Sequence, residues 1–128
     1  MNTVTAPTKA NALQILNRAV QSCIDHQGVT IHVDTGAQPG TGFGVSTHKD
    51  RERILSDRPT GGDLLYYVQD NYDLLVLPDH YLGVWEDEGE WYLDVTQVVL
   101  GQLAAQAAAR THNQKAIWNF DSHREVEV

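Results

Sequence analysis

The segment from Tyr81 to Asp121 constrains this chain most. Tyr81–Glu86 and Glu90–Thr96 are apolar–polar alternating runs, and Asp87-Glu88-Gly89 between them is a turn with Gly89 free to take positive φ. A helix rich in alanine follows over Leu100–His112, with Asn113 placed to cap its end, and Ala116–Phe120 closes as a strand. Strand, turn, strand, helix, strand is therefore expected, and all three tryptophans, Trp85, Trp91 and Trp118, fall inside it. Nothing in this segment names a reaction.

Upstream, Thr8 is an expected N-cap for a helix over 8–26, with Leu13, Leu16, Val20, Cys23 and Ile24 as its apolar stripe. Gly28 is expected in the left-handed position just past its end. Val29–Asp34 and Gly42–Thr47 read as strands that pair as a long-looped hairpin. Ile54-Leu55 fits a brief strand or an ordered loop equally well. Leu64, Leu65, Val68, Tyr72 and Leu75 predict a helix over 62–76, which Pro78 stops. From residue 42 the order is strand, helix, strand, strand, helix, strand. The expected class is α+β, a mostly antiparallel sheet with helices on one face. Its ferredoxin-like βαββαβ core would span about 42–120, preceded by one helix and one strand. One domain over residues 1–128 is expected, frayed at 1–7 and 122–128.

Nine basic against seventeen acidic residues give a net charge of −8. That balance disfavours nucleic acid and anionic membrane surfaces, which need lysine and arginine. No apolar run approaches the about 20 residues that span a bilayer, and the N-terminus lacks a signal-peptide pattern. The single cysteine, Cys23, excludes an intramolecular disulfide and fits a reducing cytoplasm. Its helical setting predicts a buried, inert thiol.

Three clusters invite functional readings. Glu86, Asp87, Glu88 and Glu90 belong to the hairpin turn, where carboxylates are solvated; Asp94 differs, because a mid-strand carboxylate must be exposed or paired. The glycines of Gly40–Gly44 lead into a strand, not a helix, and lack the Gly-Lys-Ser/Thr of a phosphate loop. Six histidines are present without a His-x-x-x-His pair, so no metal site and no cofactor are expected. No Gly-x-Ser-x-Gly elbow occurs, and no catalytic residue is assigned. Alternation instead puts Tyr81, Trp85, Tyr92 and Asp94 on one face of the hairpin, opposite Leu82, Val84 and Leu93. The sequence leaves open whether a helix covers that face.

Tyr81-Leu82-Gly83-Val84-Trp85, Trp91-Tyr92-Leu93-Asp94-Val95 and Asn113-Gln114-Lys115-Ala116-Ile117-Trp118-Asn119 carry a resemblance. Together with Gly42-Phe43-Gly44-Val45-Ser46, they resemble the Leu-Gly-x-Trp, Tyr-Leu-Asp-Val and Asn-Gln-x-Ala-Ile-aromatic pattern of a group of small proteins. That group occurs in phages of actinobacteria and in their hosts. The resemblance covers about two thirds of the chain by pattern, is weaker over residues 1–40, and implies a phage or prophage context without an activity.

The leading expectation is thus a non-catalytic binding protein of a bacterial cytoplasm. It would act on a host or defence protein through Tyr81, Trp85, Tyr92 and Asp94. A sensor or enzyme for an anionic metabolite or nucleotide is the alternative, with His48, Arg51 and Arg53 beside the 35–41 loop. A structural homodimer is the third reading.

Overall fold

The computed structural model describes residues 9–128, with side chains from residue 11 onward. The expected cap Thr8 and the segment 1–7 lie outside the described residues. The chain forms α1 (Lys9–His26), β1 (Gly28–Ile31), β2 (Phe43–Ser46), a 3-10 turn (Lys49–Arg51) and β3 (Arg53–Leu55). It continues as α2 (Gly61–Leu75), β4 (His80–Asp87), β5 (Glu90–Val99), α3 (Gln102–Thr111), β6 (Ala116–Asn119) and β7 (Arg124–Glu127). Among the described residues, the seven strands make one antiparallel sheet in the order β1-β4-β5-β2-β6-β7, with β3 paired to β5 as well. The class is α+β.

The ten residues of β5 organise the sheet. One edge pairs along its length with β4. The other edge is divided: Trp91–Leu93 pair with β3, and Thr96–Val99 with β2. Strands β2 and β4 therefore run the same way on either side of β5. The four strands of the expected βαββαβ unit lie in the order β4-β5-β2-β6. The plain unit is modified, because the 3-10 turn and β3 sit inside its first crossover and β1 and β7 extend the sheet.

Register places the core. Leu82 and Val84 face Val95 and Leu93, and Phe43 faces Val99. All point to the face that carries the three helices. Against one half of that face, α1 and α2 pack Leu16, Ala19, Cys23, Leu64, Tyr67, Val68 and Leu75 onto Leu82, Val84, Trp91, Leu93 and Val95. Against the other half, Ala105 and Ala109 of α3 meet Phe43, Val45 and Ile117. Alanine leaves so little side chain that α3 can lie close to the strands.

Several expectations are corrected. Strands β1 and β2 do not pair with each other: β1 adds to β4, and β2 to β5 and β6. Gly28 is not the left-handed cap. Gln27 takes that role at φ 63°, and Gly28 enters β1, where a Cβ would stand 2.8 Å from the Val84 carbonyl oxygen. Close strand approach, not a helix end, requires this glycine. The buried face of α1 is Ala12, Ile15, Leu16, Ala19 and Cys23, while Ile24 is exposed. The tail after residue 121 is not loose, since β7 pairs with β6 and Val126 packs on the α3 core. Ile54-Leu55 belongs to a strand.

Local chemistry explains the helix ends and the hairpin. Thr60 and Asp63 form a capping box at α2: the Asp63 N–H donates to Thr60 Oγ1 at 3.1 Å and the Thr60 N–H to Asp63 Oδ2 at 2.9 Å. Asn113, at φ 57°, ends α3 as expected. Glu88 and Gly89, at φ 51° and 82°, make the two-residue turn that suits the right-handed twist of β4 and β5. No helix among the described residues is long and apolar enough to cross a membrane.

Candidate functional site

Tyr81, Trp85, Tyr92 and Asp94 all lie on the face opposite the helices. The β4–β5 register sets Tyr81 across from Thr96, Gly83 from Asp94, and Trp85 from Tyr92. The Trp85 and Tyr92 rings stack, with centroids 4.1 Å apart and planes within 8°. Trp85 remains 38% exposed. Beside them stands Ile54, across from Tyr92 on β3 and 48% exposed. Tyr81 meets His32 edge-on at 5.8 Å.

Asp94 is not a surface acid. It is 3% exposed, and its carboxylate accepts the Trp85 indole N–H at 2.9 Å and the Thr96 hydroxyl at 2.5 Å. Gly83 makes the room: a Cβ there would collide with the Asp94 and Thr96 oxygens. Burial raises the Asp94 pKa against the two hydrogen bonds that lower it. Glu52, just before β3, is also raised, by burial first and then by the nearby Asp94. Asp94 thus forms the floor that fixes the indole. Ser46 Oγ, on the same face by register with Thr96, is buried without a hydrogen-bond partner.

His48, Arg51 and Arg53 are not brought together as one ligand loop. Arg51 makes paired bonds to Asp73 at 3.1 and 3.2 Å and a third to Asn71 Oδ1 at 3.1 Å. Arg53 bonds Asp70 at 3.1 Å. Both line a cleft of about 470 Å³ with Asp50, Glu52, Asp70, Asn71 and Asp73. Its four carboxyl groups outnumber its two guanidiniums, so an anion entering there meets charges already neutralised. Asn71 sits at a kink in α2 and donates to the Tyr67 carbonyl at 2.9 Å. The loop before β2 is tied elsewhere: Asp121 accepts the Thr41 hydroxyl at 3.1 Å and the Gly42 N–H at 3.2 Å. That amide is already used by the protein itself. His48 turns instead to His80, its Nε2 3.2 Å from the other ring's Nε2.

Cys23 is buried in the larger core, and burial pushes its thiol up to about 11. At that value the thiol is protonated at neutral pH.

Sequence reasoning missed Ile54, Glu52 and the His48–His80 pair. Only the β3–β5 register brings the first two to this face, and the histidines lie 32 positions apart. Thr96 was legible, because it shares the parity of Asp94 on β5. Comparison with protein families, curated proteins and solved structures finds no match to this chain.

Proposed function

We propose that this is a non-catalytic protein-binding domain whose contact surface is the helix-free face of the sheet, centred on Trp85 and Tyr92. The observation that carries the reading is the fixed indole. Trp85 is stacked on Tyr92 and held by Asp94, yet over a third of it faces solvent. An aromatic already locked in one rotamer loses little entropy on binding, and tryptophan and tyrosine dominate interface hot spots. Ile54 widens the apolar centre, and Asp87, Glu88 and Glu90 at the hairpin tip supply an acidic rim. The complementary partner has an apolar centre flanked by lysine or arginine. The phage or prophage setting, with a host or defence protein as target, is part of this proposal and rests on the resemblance alone.

Untagged protein immobilised through its exposed lysines tests the reading against an actinobacterial lysate, with Trp85→Ala and Leu103→Ala as parallel baits. Leu103 lies on α3 and is 84% exposed. One stoichiometric protein retained by wild type and Leu103→Ala but lost from Trp85→Ala is the expected result. Equal retention by all three baits would place the contact elsewhere.

A further inference from the structure

His80 opens β4 on the helix-bearing side, and His48 lies two residues past the end of β2. The His80 ring is buried, and its Nδ1 is 2.8 Å from the Pro78 carbonyl oxygen. A carbonyl only accepts, so Nδ1 carries the proton and donates. Nε2 is left with a lone pair, and His48 Nε2 stands 3.2 Å from it. Ligating histidines are commonly oriented by just such an N–H to backbone carbonyl bond.

We propose that His48 and His80 form a two-nitrogen site for a borderline divalent transition-metal ion of the zinc(II) class, with water in its remaining positions. Zinc–imidazole bonds are about 2.05 Å long, so nitrogens 3.2 Å apart subtend an angle of about 100° at the ion, near the tetrahedral value. The same separation also admits a direct N–H···N hydrogen bond, which the metal titration distinguishes. Among the described residues no group of three or more histidine, cysteine or carboxylate side chains converges as a cage. The site is therefore open, and reached from the half-buried His48 side. An ion there would join the segment after β2 to the start of β4, across the intervening β5.

The test uses untagged, chelator-treated protein titrated with cobalt(II) and then zinc(II). Visible d–d absorption saturating at one equivalent and displaced by zinc is expected, with a rise in Tm on zinc addition. His48→Gln, on a partly exposed side chain, should keep the native circular dichroism and the metal-free Tm while zinc affinity falls at least about tenfold. His80→Gln should lose affinity likewise. Absence of cobalt bands at one equivalent would overturn the site. So would zinc affinity unchanged in both variants, which would mark the pair as a simple hydrogen bond.

Discussion

Asp94 combines two roles that conflict in water: it is acidic, and it is sealed beneath an indole. A carboxyl whose folded pKa lies above its unfolded one holds extra protons in the folded state between those two values. Stability from this group is then present below the unfolded pKa and is lost as pH rises through the folded pKa. Asp94→Asn removes that loss, and its amide can still accept from Trp85 and donate to Thr96. Urea melts from pH 4 upward should show the variant gaining on wild type as pH rises, then a constant difference on the order of 1 kcal/mol. A pH-independent difference would mean that Asp94 is ionised throughout. Gly83→Ala should act oppositely. Its Cβ displaces the Asp94 and Thr96 side chains, so a stability loss of about 1–3 kcal/mol is expected, with a red-shifted tryptophan emission as the indole is released. At this scale the sequence showed, from mid-strand position alone, that Asp94 had to be either exposed or paired. It could not show which, since the Trp85 indole reaches Asp94 through a hairpin register that the turn residues fix only once folded.

Elements formed where local chemistry was decisive. The β4–β5 hairpin, α2 and α3 match their sequence expectations to within about three residues, a margin ordinary for such boundaries. The failures were of pairing. Strand β1 looked like a neighbour of β2 because they are adjacent in sequence, yet it docks on β4, and no local pattern encodes that choice. The stripe of α1 was found only in part: Leu16 and Cys23 are buried as expected, but Ile24 is exposed and the weak hydrophobic signals Ala12 and Ala19 are buried. Two substitutions probe elements that local rules explain. Thr60→Ala removes the capping box and should cost about 1 kcal/mol in a chemical melt. Glu88→Asn relieves a glutamate held at φ 51° and should raise Tm slightly, by less than about 1 kcal/mol in stability. No gain would mean that Glu88 makes a compensating contact in the turn.

Across the described residues the molecule has one sheet and two unequal apolar clusters on it. The larger takes α1 and α2; the smaller depends on two alanines of α3 and on β2 and β6. Burial of alanine contributes far less than burial of leucine or tyrosine. Native-state hydrogen exchange should therefore find the amides of α3, β6 and β7 opening at lower free energy than those of β4 and the centre of β5. Uniform exchange across the sheet would show that both clusters unfold together. The expectation of an α+β chain with helices on one side needed only periodicity and element order, and it holds. The division of labour between two clusters was hidden, because it depends on which strand flanks β5 at each end.

The outermost strands, β1 and β7, have only four residues each, and β7 is Arg-Glu-Val-Glu, three of its four side chains charged. A further strand laid along either rim would gain few ladder bonds, and along β7 it would meet charge. Sideways growth from one molecule to the next is thus poorly templated.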